Sequence, residues 1–128
     1  MKKFFVFSFL LLISSLVSNT YAEATKLKAS AISFKLTDDY GNWKKWTNWQ
    51  NSNALIVIDK DRIKIYEKDH TLTFDIVSTY EDGADIKYRC IDKDGRQCTI
   101  RGHKEGEDLQ LYIEYTDAKM VYSVRVLD

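Results

Sequence analysis

The sequence predicts an all-β domain, an antiparallel meander of about eight strands closing into a small barrel rather than a sandwich. Three observations carry this expectation. Apolar and polar residues alternate with a period of two along nearly the whole chain after residue 30. Two short acidic turns, Ile58-Asp59-Lys60-Asp61 and Ile91-Asp92-Lys93-Asp94, sit where hairpins need them. Sustained helical periodicity is missing, so each apolar run reads as a half-buried strand.

After a polar lead-in, Glu23 to Ser30, the strands follow in order. Ile32, Phe34 and Leu36 alternate with Ser33, Lys35 and Thr37, and Leu55 to Ile58 is a continuous β-branched-rich run. Ile63 and Ile65 alternate with Arg62, Lys64 and Tyr66, then Leu72, Phe74 and Ile76 with Thr71, Thr73 and Asp75. Ile86, Tyr88 and Cys90 form the next face, followed by Cys98 and Ile100, then Leu109, Leu111, Ile113 and Tyr115. Met120, Tyr122, Val124 and Val126 close the series.

Two hairpins can be placed in register. A turn through Asp59 to Arg62 pairs Ile58 with Ile63 and Ile56 with Ile65, setting four isoleucines on one face. A slip of one residue would expose half of them, so this register is strongly specified. In the second hairpin, Asp92 and Gly95 suit a type I turn followed by a glycine bulge, which sets Cys90 opposite Cys98. The two turns are one solution used twice, not a repeat, since their flanks match only in alternation. With no proline in the chain, turns depend on Gly, Asp and Asn. The stretch from Asp39 to Asn53 breaks the alternation and is the one candidate for a helical turn.

The first twenty-two residues have the three-part plan of a secretory signal peptide: Lys2 and Lys3, an apolar run from Phe4 to Ile13 broken by Ser8, then small residues up to Ala22. A cut after Ala22, with Ala24 as the alternative, leaves residues 23–128 as a single β domain exported to the periplasm or the outside of the cell. The apolar run is shorter than the roughly 20 residues of a membrane span, and no cysteine follows it to carry a lipid, so no membrane anchor is expected after cleavage. The whole chain balances 19 basic against 19 acidic residues. Loss of Lys2 and Lys3 with the leader tips the remainder slightly acidic, which argues against a nucleic-acid partner.

Cys90 and Cys98 are the only cysteines of an exported chain and face each other across a hairpin, so a structural disulfide is expected. Their spacing does not suit a redox-active pair. Trp43, Trp46 and Trp49 are the sharpest functional signal. Every third residue is tryptophan, and on a helical or 3₁₀ turn all three share one side. With Tyr40, Asn42 and Asn48 beside them, they form a candidate ligand site. Flat indoles stack on sugar rings while amides bond hydroxyls, and the same rings could line a barrel mouth holding a small amphipathic ligand. They could equally be a structural plug at one barrel end.

Gly41-Asn42-Trp43 after a first strand resembles the Gly-x-Trp signature near the start of lipocalins. That resemblance implies a lipocalin-like barrel, with Arg125 in the place of the arginine that covers the tryptophan. The whole domain also resembles small exported all-β proteins of Bacteroidota-type bacteria with no assigned activity, through Asp61-Arg62-Ile63-x-Ile65-Tyr66, Cys90-x-Asp92-x-x-Gly95-x-x-Cys98 and Leu111-Tyr112-Ile113-x-Tyr115. It implies location and architecture, and no catalytic residue.

Catalysis finds little support. His70 and His103 fall in turn-like stretches, and no nucleophile elbow, phosphate loop or zinc helix occurs. Asp92-Lys93-Asp94-Gly95 lacks the later ligands of a calcium loop, so neither metal nor cofactor is expected. Asp75 and Glu114 read as charges on the outer faces of strands. The expected function is therefore non-catalytic binding of a glycan or small amphipathic molecule through Tyr40 to Asn53. The alternative is a protein-interaction or inhibitor module using a sheet edge or an outer face bearing Tyr66 and Tyr112.

Overall fold

The computed structural model describes residues 24–127. The leader and its cleavage after Ala22 lie outside the described residues. Nine antiparallel strands follow one another: β1 (Thr25–Leu36), β2 (Gln50–Asn51), β3 (Leu55–Ile58), β4 (Arg62–Tyr66), β5 (Thr71–Asp82), β6 (Asp85–Asp92), β7 (Gln97–Glu105), β8 (Asp108–Glu114) and β9 (Ala118–Val126). From β3 to β9 each strand pairs with the next. β1 pairs with both β3 and β9, so eight strands close a barrel and β2 flanks it. Among the described residues there is no helix. The expected small antiparallel barrel is the observed architecture.

Both hairpin registers are as expected. Ile58 pairs with Ile63 and Ile56 with Ile65, and all four are almost fully buried. Cys90 pairs with Cys98. Their turn is closed by Gly95 N–H to Asp92 O at 3.0 Å, while the Asp92 carboxylate accepts from the N–H groups of Asp94 and Arg96. Gly95 has φ of 81°, a left-handed conformation that a Cβ disfavours.

The interior is filled by side chains. Leu27, Ile56, Ile58, Ile63, Ile65, Phe74, Ile100, Leu111 and Ile113 interdigitate with the rings of Tyr88 and Tyr122. Fully burying each aliphatic chain contributes roughly 1.5–3 kcal/mol relative to leaving it in water. Two buried phenols fare differently. Tyr122 donates to Glu67 Oε1 at 2.6 Å, reaching the β4–β5 turn, whereas the Tyr88 hydroxyl has no partner among the described residues.

Three expectations are corrected. The polar lead-in from Thr25 to Ser30 is the first half of β1. A bulge between Ala29 and Ala31 shifts the parity from Leu27 and Ala29 to Ile32, Phe34 and Leu36, which breaks the alternation at that point; Ile32 packs against the core, while Phe34 and Leu36 are exposed. His103 lies in strand β7, not in a turn; His70 does close the β4–β5 turn, accepting from Glu67 N–H at 2.9 Å.

The third correction concerns the cysteines. Cys90 and Cys98 are free, buried thiols, and no disulfide joins them. Asp92 N–H donates to Arg96 O at 2.9 Å, so two residues further on Cys90 and Cys98 again form a hydrogen-bonded pair. The Cα separation of about 5.5 Å usual for such pairs lies within disulfide range, but their side chains stand further apart than in the alternate pairs. Each thiol has its own neighbour instead: Cys90 Sγ donates to Tyr88 O at 3.7 Å, and Cys98 lies against the Tyr115 hydroxyl.

Candidate functional site

The candidate site is built from the segment between β1 and β2. Asp38 turns the chain: its N–H donates to Asn42 O at 2.8 Å, and its carboxylate accepts from Tyr40 and Asn42 N–H at 2.8 and 3.0 Å. The backbone bond from Asn42, then that from Tyr40, hold the Asp38 carboxyl below its usual pKa. Gly41 supplies the left-handed residue of this turn, with φ of 81°.

From there the chain runs antiparallel along the half of β1 that β3 does not reach. Thr37 bridges Trp43, Lys44 N–H donates to Leu36 O at 2.9 Å, and Thr47 N–H donates to Phe34 O at 2.8 Å. Gln50 then pairs with Ile32. Each step takes three residues of the segment for two of β1, like a bulge repeated in succession. Trp43, Trp46 and Trp49 therefore hold equivalent backbone places, each one residue before an anchor. The expected helical turn is not formed, yet the three-residue spacing is used by a bulged, extended chain. Thr47 is its main rivet: its hydroxyl accepts from Phe34 N–H at 3.0 Å, and its carbonyl accepts from Ser33 Oγ at 2.7 Å.

The tryptophans do not plug the barrel. They stand on its outer wall, 39% (Trp43), 38% (Trp46) and 51% (Trp49) exposed. Ser33 and Val121 are buried although their parity points outward. Lys35 brings two of the indoles together, its ammonium lying 5.2 Å from the Trp43 ring centre and 4.9 Å from that of Trp46. Lys119 approaches Trp43 at 4.8 Å from the other side of the β1–β9 ladder. Trp46 meets Tyr112 edge to face at 6.2 Å. Trp49 makes no ring contact with either of them among the described residues. Tyr40 projects from the turn at 90% exposure, and Asn42 and Asn48 are exposed on the same segment.

The wall continues as a charged network that sequence reasoning missed, because its members come from three strands. Arg101 lies 4.1 Å over Tyr112 and joins Glu114 at 3.1 Å and Asp85 at 3.1 Å. His103 has Asp85 on Nδ1 at 2.7 Å and Glu105 on Nε2 at 3.0 Å. Partial burial pulls the His103 pKa down, but the bonds from Asp85 and Glu105 outweigh it and hold it above the usual histidine value. With both ring nitrogens against carboxylates, the protonated form of this histidine is favoured. Asp75 and Glu114 do lie outward as expected, and each is ion-paired, with Arg62 and Arg101.

The signal for this network lay in the alternation itself, which puts Lys35, Lys119, Tyr112 and Arg101 on the outer face. Only the pairing of strands made them neighbours. Arg125 does not cover Trp43: it pairs with Lys28, toward the other end of β1. Tyr66 lies on β4, while Tyr112 is half-covered by Trp46 and Arg101, so the two tyrosines do not make one surface. Barrel closure also leaves strand β2 as the edge of the sheet.

An open groove of about 550 Å³ lies elsewhere, along Arg89, Gln97, Thr99, Glu114 and Tyr115. Among the described residues, no group of His, Cys, Asp and Glu side chains is arranged to hold a metal ion. No protein-family model matches the chain, and neither the curated proteins nor the solved structures include a significant match to it.

Proposed function

We propose that this protein is an exported, non-catalytic carbohydrate-binding domain whose ligand lies along the Trp43–Trp46–Trp49 strip. One observation carries the reading: three partly exposed indoles recur at equivalent places on a segment riveted to β1. A flat ring held in place by backbone bonds loses little conformational freedom on binding. The repeat matches what a chain of sugar rings offers, one apolar face after another. Asn42, Asn48 and Gln50 supply exposed amides for hydroxyl groups.

The filled interior weakens the case for a small amphipathic ligand inside the barrel, and favours the outer wall. Export follows from the leader and puts the domain where polysaccharides are met. A protein partner on the same strip is the competing reading, to which the weight moves if no polysaccharide binds. Intrinsic tryptophan fluorescence is titrated with soluble polysaccharides and, separately, with phospholipid vesicles. Polysaccharide is expected to shift the emission saturably, with Trp46→Ala losing the response and vesicles giving none. Silence toward every polysaccharide would overturn the proposal.

A further inference from the structure

We infer that the strip selects acidic polysaccharides, whose carboxylate or sulfate groups are held between Lys35 and Lys119 beside Trp43 while the polymer lies along the strip. This rests on the carbohydrate-binding reading above and names its ligand class. The observation behind it is a like-charge pair. Lys35 and Lys119 are directly opposite in the β1–β9 ladder, a placement that costs stability because their ammonium groups repel. Both reach the Trp43 ring, at 5.2 and 4.8 Å.

Three of the neighbouring carboxylates are already engaged. Asp38 accepts from the backbone of its own turn, Asp117 is paired with Arg96 at 2.7 Å, and Glu114 is held by Arg101 at 3.1 Å. Glu114 also approaches Lys119, at the longer distance of 3.7 Å. Lys35 has no ion-pair partner among the described residues. Lys44 and Lys45 stand exposed on the same segment. A cationic, aromatic strip thus sits on a domain that is otherwise slightly acidic. Two ammonium groups over one indole are arranged to take a bridging anion, and that anion would relieve the repulsion between them.

The test sets acidic polymers against neutral ones. Polygalacturonate, alginate and chondroitin sulfate are titrated beside dextran and fully methyl-esterified polygalacturonate, which keeps the backbone and removes the charge. At least one acidic polymer is expected to bind about tenfold more tightly than the neutral ones at low salt, and the margin is expected to vanish near about 0.5 M salt. In K35Q and K119Q the margin of acidic over neutral polymer shrinks several-fold. Circular dichroism of these outer-face variants confirms the barrel. Equal affinity for acidic and neutral polymers, or a margin surviving in both variants, overturns this inference and leaves carbohydrate binding standing. Failure of every polymer to bind overturns both.

Discussion

The Tyr122 hydroxyl, on a ring buried in the barrel, donates to the Glu67 carboxylate in the β4–β5 turn at 2.6 Å. The bond ties a surface turn to the core and satisfies a phenol that water cannot reach. Burial, and then this bond to Glu67, push the phenol pKa well up. Replacing Tyr122 by Phe is expected to cost about 1.5 kcal/mol, since a hydrogen bond to a charged group is lost. Urea unfolding of the two proteins measures the difference. An unchanged midpoint would show that the bond is not formed in solution.

Tyr88 is the counter-case. Its ring is buried as deeply, but its hydroxyl has no partner among the described residues. An unsatisfied buried donor carries the cost of its lost hydration. Tyr88→Phe removes that group and keeps the ring, so it is expected to stabilise the barrel by about 1 kcal/mol. The same unfolding experiment should move Tyr88→Phe and Tyr122→Phe in opposite directions.

His103 makes stability depend on pH. Its bonds to Asp85 and Glu105 raise its pKa in the folded state against the pull of burial. The folded protein therefore holds a proton that the unfolded chain releases near about pH 6.5. The stabilisation is fully present below that value and is lost as pH rises through the higher folded value. Unfolding free energy measured from pH 5 to 8 should fall with pH over that window, and His103→Gln should flatten the slope.

The two thiols are expected to be inert in the native state. Burial, followed by the neighbouring Cys98 and Asp75, pushes the Cys90 thiol up to about 12. Burial pushes Cys98 up to about 11, against an opposing effect of the Tyr115 hydroxyl. Iodoacetamide at about pH 8 should leave both unmodified until the protein is unfolded, since the thiolate is the reactive form. The sign for stability is a loss at high pH, beginning near the ordinary thiol value of 9.0 and continuing to the raised values. Rapid alkylation of the folded protein would contradict the burial.

The wall-mounted tryptophans should be open to solvent. Acrylamide is expected to quench most of the native fluorescence, as it would not if the rings filled the barrel. Asp38→Ala should loosen the turn that starts the segment, because the N–H groups of Tyr40 and Asn42 lose their acceptor. Greater quenching in that variant, with the barrel's thermal transition shifted by less than about 2 °C, would mark a local effect.

The residues alone determined the strand count to within one, the two hairpin registers and the barrel class. Those depend on contacts near in sequence, where alternation and turn chemistry act within a dozen residues. They also marked Trp43, Trp46 and Trp49 by their spacing. Alternation failed where the backbone departs from period two, at the Ala29–Ala31 bulge and along the segment that steps three residues for two of β1. A helical turn and a bulged strand can present the same three-residue spacing, and only hydrogen bonds to Leu36 and Phe34 distinguish them.

Tertiary structure alone decided what the tryptophans face. Closure of β1 onto β9 set Lys35 against Lys119, residues far apart in the chain, and brought Tyr112 and Arg101 alongside. It also filled the interior, which moved the candidate site from the barrel mouth to the wall. A period of two says which residues point outward but not which strands adjoin. That choice is made only when the last strand pairs with the first.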